Sequence, residues 1–258
     1  MEMNPADIAA YIGAAAWLPQ IGSYIYQNFI KPKILIVPEK QVEIGFTSFG
    51  PIFNIRLALS AEHKDVVIDS LELAISHEGG EMNSLSWIGL RETLSEISDS
   101  SGTRAMIEKE QPAIALKLNT ISLVEKLVRF QNLRHLDEQK MLMNDLIAKA
   151  IFIAKNKPAS IVEIITSTEF QKLMELYDRD FFWKPGKYSV EFRAKSPESI
   201  VLIPQNFQFI LHPHDVEALR ANLQSIKADH ENRILNLTPN YQVKPITWAW
   251  RNPTLNKK

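Results

Sequence analysis

The sequence predicts an α+β fold, mainly an antiparallel β-sandwich, with a hydrophobic helix at its start, a helical insertion in its middle and a helix near its end. Three observations carry that expectation. Short runs with apolar residues at every second position recur at intervals of about ten residues, as strands with one face on a core do. Stretches around 133–154, 168–177 and 215–226 switch to a 3.6-residue period, as amphipathic helices do. Residues 8–30 carry no charge at all. Strict alternation of strand and helix, which would indicate a parallel sheet, is absent. With 258 residues, 45% apolar and 23% charged, the chain can bury a large core. It divides into a hydrophobic helix at 1–33, a sandwich at 34–231 interrupted by helices at about 131–180, and a basic aromatic tail at 232–258.

The uncharged run from Ile8 to Ile30 is 23 residues long, enough at about 1.5 Å per residue to cross a bilayer core of roughly 30 Å. Pro19, Gln20, Ser23, Gln27 and Asn28 dilute it. Glu2 and Asp7 precede it and Lys31, Lys33 and Lys40 follow. That arrangement opposes a secretory signal peptide and places the bulk of the chain on the cytoplasmic side. Ala6, Ala9, Gly13, Ala16, Gln20, Ser23 and Gln27 recur at alternating spacings of three and four, a seam of small and amide side chains suited to close helix pairing. A spanning helix, a helix lying on a membrane or partner, and a soluble helix packed on its own domain all fit this segment.

Ile34 to Val37 reads as a buried strand stopped by Pro38, and Phe53 to Ser60 as one with its odd positions inward. Val67 to Ser76 repeats the pattern, Glu78-Gly79-Gly80 turns the chain, and Leu85 to Ile88 returns as a hairpin partner. Ile114, Leu116 and Leu118 mark another strand. From Leu133 to Ala154 the residues Leu136, Met143, Leu146, Ile147, Ala150 and Ala154 share one helical face, closed by Pro158. Ile161 to Ile165 fits strand or helix. Thr166 and Glu169 offer a capping box to a helix carrying Phe170, Leu173, Met174 and Tyr177.

Strand character returns at Trp183-Lys184-Pro185-Gly186-Lys187-Tyr188-Ser189-Val190-Glu191-Phe192, where Tyr188, Val190 and Phe192 alternate inward after the Pro-Gly turn. This stretch of about ten residues is similar to the late strand of immunoglobulin-like sandwiches, in which a Pro-Gly turn leads into Tyr-x-Val. The likeness implies a sandwich and no function. Phe207, Phe209 and Leu211 give a further strand. Asp215 is placed to cap a last helix with Val216, Leu219, Leu223 and Ile226 as its stripe.

Chemistry is sparse. Cysteine is absent, which removes disulfides, thiolate metal sites and cysteine nucleophiles. Neither a Gly-x-Ser-x-Gly elbow nor a glycine-rich phosphate loop occurs. The serine-rich stretch Ser95 to Ser101 reads as a polar loop, and Glu108 and Glu110 around Lys109 as a solvated loop or strand edge. His212-Pro213-His214-Asp215 is the one grouping with metal-ligand character, since imidazoles two apart on an extended backbone face the same way. The competing reading is a turn at Pro213 and a helix cap at Asp215. No cofactor is implied.

All 30 acidic residues lie in 1–231 with 24 basic ones, whereas the last 27 residues carry +5 from Arg233, Lys244, Arg251, Lys257 and Lys258. Trp248 and Trp250 lie among these charges, so Lys31, Lys33, Lys244, Trp248, Trp250 and Arg251 are candidate contacts to lipid head groups or nucleic acid. The alternative is that the tryptophans cover the core. Asn236-Leu237-Thr238 fits a glycosylation acceptor, which the expected cytoplasmic side leaves unused.

The expectation is a non-enzymatic sensing or interaction protein of a bacterial type. Its first helix anchors it in the inner membrane, with Gly13, Ala16, Gln20, Ser23 and Gln27 as the self-association face and the main domain in the cytoplasm. Lipid and further copies are the expected partners, a protein partner is open, and nucleic acid is disfavoured. The alternatives are a cytoplasmic metal-dependent hydrolase using His212, His214 and Asp215, or a nucleic-acid-binding module using the tail.

Overall fold

The inward positions read from Phe53 to Leu59 belong to a strand running from Gly50 to Glu62, and Phe53, Ile55, Leu57 and Leu59 are all buried in it. The computed structural model describes residues 5–98, 104–156, 161–234 and 242–258. Along the chain come α1 (Pro5–Phe29), β1 (Lys33–Pro38), β2 (Glu43–Thr47), β3 (Gly50–Glu62), β4 (Val66–Ile68), β5 (Ser70–His77), β6 (Met82–Ser98), β7 (Arg104–Pro112), β8 (Leu116–Leu118) and β9 (Val124–Gln131). The helices α2 (Leu133–Asn156), α3 (Ile161–Ile165) and α4 (Thr168–Asp180) follow, then β10 (Gly186–Lys195), β11 (Val201–Leu202), β12 (Asn206–Leu211), α5 (Pro213–Arg233) and β13 (Asn256–Lys257).

Eleven strands join one curled sheet in the order β11-β1-β3-β9-β6-β5-β10-β12-β13, with β2 also on β3 and β7 also on β6. The pairings are antiparallel except β1 with β11. The fold is therefore α+β, but the facing sheets of a sandwich, immunoglobulin-like or otherwise, are not what these strands build. The second sheet among the described residues is only the β4–β8 pair. The reason lies in the long strands. One edge of β3 serves β2 at residues 50–54 and β1 at residues 57–62. One edge of β6 serves β5 and then β7. Ladders that would bound two sheets thus run into each other, and register shifts in β6 at Trp87/Gly89 and Thr93/Ser95 add twist and bend.

Several expected elements move. The strand expected from Val67 to Ser76 breaks at Asp69, whose N–H donates to the Lys195 carbonyl at 3.1 Å. Its first part then pairs with β8 and its second with β6 and β10. Ser95 to Ser98 lie in β6, not in a loop. Ile161 to Ile165 is helical. The α4 cap is Ser167, whose hydroxyl accepts the Phe170 N–H at 3.3 Å, while the Thr166 hydroxyl turns back to the Val162 carbonyl. The expected stop at Pro158 and the acceptor at Asn236 lie outside the described residues.

One continuous core joins the sheet and the helices. Tyr188 stacks on Phe209 with ring centres 5.0 Å apart, and Trp183 meets Tyr188 edge-on. The Tyr188 hydroxyl accepts the Lys184 N–H and donates to the Lys184 carbonyl, closing the turn that carries Pro185 and Gly186. Burial pushes its phenol up to about 12. Both stripes read for α2 and α5 are inward: Leu146, Ala150, Leu219 and Ile226 are fully buried.

Residues 242–258 run between two distant strands. Ile44 and Arg251 exchange backbone hydrogen bonds at 2.7 and 2.9 Å, the Leu255 N–H donates to the Lys40 carbonyl, and β13 pairs with β12. Helix α5 holds this strap with amide side chains. Asn222 donates to the carbonyls of Phe46 and Ala249 and accepts the Ala249 N–H, and Asn232 exchanges two bonds of 2.9 Å with Lys244. Gly45 makes room for the strap's Trp250, because a methyl there would stand 2.3 Å from its ring.

Candidate functional site

The uncharged segment forms α1, and Pro19 sits inside it without ending it. Positions 13–26, 29 and 30 of the chain are all exposed. Exposure reaches 63% at Trp17, 65% at Leu18 and 72% at Phe29, values foreign to a helix packed in a soluble core. At 3.6 residues per turn Trp17, Leu18, Ile21, Tyr24, Ile25 and Phe29 fall within about 140° of one another. Gly13, Ala16, Gln20 and Ser23 lie within about 80° of one another beside that arc and are exposed. Gln27 is in the helix, but its side chain lies outside the described residues. The Tyr26 hydroxyl donates to the His63 carbonyl, tying the helix end to the β3–β4 turn. Among the described residues no helix is long and apolar enough to cross a membrane. The expected transmembrane span therefore has no counterpart, because proline, amides and small residues dilute the run.

Of the basic residues expected at a ligand surface, Lys33, Lys244 and Arg251 have protein partners. Lys33 pairs with Glu62 at 3.1 Å, at half-exposed side chains, while Lys31 is exposed. Lys244 pairs with Glu231, which is completely buried. Arg251 meets the Asp215 carboxylate at 3.1 Å. Trp250 lies on Gly45 and Trp248 against the core.

The last helix starts earlier than read: His212 is its capping residue, Pro213 opens it, and Asp215 lies in its first turn, where the carboxylate takes the His212 N–H at 3.0 Å. The His212 and His214 rings stack in parallel 5.7 Å apart. One oxygen of Asp215 faces both Arg251 and His214. A carboxylate held by a cap and a guanidinium is a poor ligand, and no group of three or more His, Asp or Glu among the described residues is placed to hold a metal. A shallow groove of about 370 Å³ beside it is lined by Ile210, His212, Arg251, Asn252, Thr254 and Asn256, among others.

A second polar cluster lies where α2, α4, α5 and the β2–β3 turn meet. His135, Tyr177 and His230 are fully buried. The Tyr177 hydroxyl donates to the Ser48 carbonyl at 2.7 Å and lies 2.7 Å from His230 Nε2. Its one proton is committed to Ser48, so the imidazole supplies the proton of the second bond and His230 Nδ1 carries the lone pair. On the other side of Tyr177, His135 donates from Nδ1 to Asp180 at 2.8 Å. His135 Nε2 and His230 Nδ1 make no hydrogen bond within the protein. Gly50, at φ +74°, leaves space for the His135 ring, which a methyl would meet at 2.4 Å.

Burial lowers His135 below the usual imidazole range against the pull of Asp180, and burial with Arg233 nearby takes His230 down to about 4. Burial raises the Tyr177 phenol as well. Burial alone would raise Asp180, but hydrogen bonds from Arg179 and His135 hold it below the usual carboxylate range. At neutral pH the cluster is therefore a set of neutral rings beside one carboxylate, with Arg179 clamping Glu138 at 2.7 and 2.9 Å on its rim.

The sequence reading assigned this cluster no role. Its one trace is periodicity: His230 continues the stripe of Val216, Leu219, Leu223 and Ile226 by four residues, placing a polar ring where an apolar one belongs. No known protein family, no curated protein and no solved structure matches this chain.

Proposed function

We infer that this is a non-enzymatic interaction protein that lies on a membrane surface through α1, with its sheet domain on the cytoplasmic side. The observation that carries this reading is a helix without charge after Asp7 and with its large side chains in water: Trp17, Leu18, Ile21, Ile25 and Phe29 are each about half exposed or more. Burying each such side chain is worth about 1.5–3 kcal/mol. Exposed Lys31 at the helix end complements anionic head groups, and Trp17, Tyr24 and Tyr26 are suited to the interfacial zone. The adjoining face of Gly13, Ala16, Gln20, Ser23 and Gln27 favours a second reading, in which helices on the surface pair with one another.

The test is sedimentation of the full chain with vesicles of phosphatidylcholine and phosphatidylglycerol. The expected result is co-sedimentation that Ile21→Glu with Ile25→Glu weakens at least tenfold. Full-length protein remaining in the supernatant at every lipid concentration overturns the reading. Gln20→Leu with Gln27→Leu should change the size of the vesicle-bound oligomer and leave lipid binding in place.

A further inference from the structure

The Tyr177 cluster joins four elements through two imidazoles, each with one buried nitrogen that makes no hydrogen bond within the protein. Adding a proton to His230 creates an N–H⁺ at Nδ1, where no acceptor stands. Adding one to His135 creates an N–H⁺ at Nε2, against the backbone of Gly50. Uncompensated buried charge is expelled by structural opening or by water entry. The charged and titratable groups around the pair do not prevent this. On α5, Asp229 favours a protonated His230, but Arg233 opposes it and pairs with Asp229 at 2.8 Å. On α4, Tyr177 is neutral and Asp180 is shared with Arg179 at 2.8 Å. On α2, Glu138 is held by Arg179. The β2–β3 turn contributes only the Ser48 backbone and hydroxyl, and the strap contributes Lys244, paired with Glu231.

We propose that His135 and His230 form a proton-operated latch: neutral, they clamp α4, α5 and the β2–β3 turn around Tyr177, and protonated, they release the carboxy-terminal half of α5 together with residues 244–249 of the strap. The release follows from connectivity. Asn232 and Glu231 hold the strap at Lys244 within two residues of His230, and Asn222 and Ser225 hold it at Ala249 and Thr247. A loosened α5 thus frees residues 244–249 of the strap, while the backbone bonds of residues 251–258 to β2 and β12 stay in place. The latch is independent of α1 and of the membrane reading.

The sign is fixed by the direction of both shifts. An imidazole held below its unfolded value of about 6.5 stabilises the fold above that pH and withdraws the stabilisation as pH falls towards its folded value. For His230, with a folded value of about 4, the folding constant falls about 30-fold between pH 7.5 and pH 5.

The test uses the full chain. Urea unfolding is measured at pH 7.5 and pH 5 for wild type and for His230→Gln, whose amide keeps a donor towards Tyr177 without titrating. The variant is expected to lose about 30-fold less of its folding constant over that interval, and an equal loss in both proteins overturns the latch. A second measurement needs no variant. Imidazole NMR titration and hydrogen exchange of wild type should give two histidines with midpoints below 6.5, and protection lost at residues 47–50, 177–180 and 228–234 before the sheet. Histidines all titrating near 6.5, or protection lost everywhere at once, overturns it.

Discussion

Replacing Tyr177 by phenylalanine removes a single oxygen from the junction of α2, α4, α5 and the β2–β3 turn, while the ring that packs on Phe46 and His135 stays. Two hydrogen bonds of 2.7 Å disappear, one to the Ser48 carbonyl and one from His230 Nε2. Both former partners are then buried without a mate, and each such group costs about 1–3 kcal/mol. The Gln139 side chain also reaches the hydroxyl and can turn to serve one of them, which trims the total. The expected loss is about 2–4 kcal/mol, a large share of the roughly 5–15 kcal/mol that stabilises an ordinary domain. Urea unfolding at pH 7.5 followed by far-UV circular dichroism measures it, provided the slope matches that of wild type. In a double-mutant cycle with His230→Ala, which removes the donor to the hydroxyl, the two changes should couple by about 0.5–3 kcal/mol, because they share one bond. A loss below about 1 kcal/mol with an unchanged slope would show that the phenol makes no net contribution, and the tautomer assigned to His230 would fall with it.

Gly45→Ala drives a methyl into the Trp250 ring, so the strap must shift at a cost of about 1–3 kcal/mol. The change should appear as lower stability with red-shifted tryptophan emission, and unaltered emission would contradict the packing. Asp215→Ala removes the carboxylate that accepts the His212 N–H and faces Arg251. It should destabilise the protein by about 0.5–2 kcal/mol in thermal unfolding, and zinc should leave the wild-type melting temperature where it is. A marked upward shift with zinc would restore the metal reading of His212, His214 and Asp215.

Elements whose pattern is set by burial on one side were legible in the sequence. Ile34 to Val37, Phe53 to Ser60, Tyr188 to Phe192 and the stripes of α2 and α5 announce themselves because alternating or 3.6-spaced apolar residues face one core. β9 escaped notice because Lys126 interrupts the inward series Val124, Val128 and Phe130. The distal parts of β6 and β7 escaped for another reason: they pair with each other along Thr93 to Ser98 through backbone bonds that leave no apolar signature. The single sheet in place of a sandwich was out of reach because strand length, and hence the sharing of β3 and β6 between partners, is not written in periodicity. For the candidate sites the split is similar. The uncharged stretch of α1 is plain in the sequence, whereas its exposure is a property of the whole fold. His135 and His230 acquire meaning only beside Asp180 and Tyr177, 45 and 53 residues away along the chain.

The strap has a consequence for synthesis. The edge of β2 that faces away from β3 is satisfied by Arg251, more than two hundred residues later in the chain. At ribosomal rates of about 5–20 residues per second, that edge waits roughly ten to forty seconds for its partner. During that interval the nascent chain presents an open row of peptide groups flanked by Ile44 and Phe46, an invitation to pair with a neighbouring nascent chain. The hazard this chain must survive is therefore greatest on the polysome, before α5 and the strap exist to cover β2.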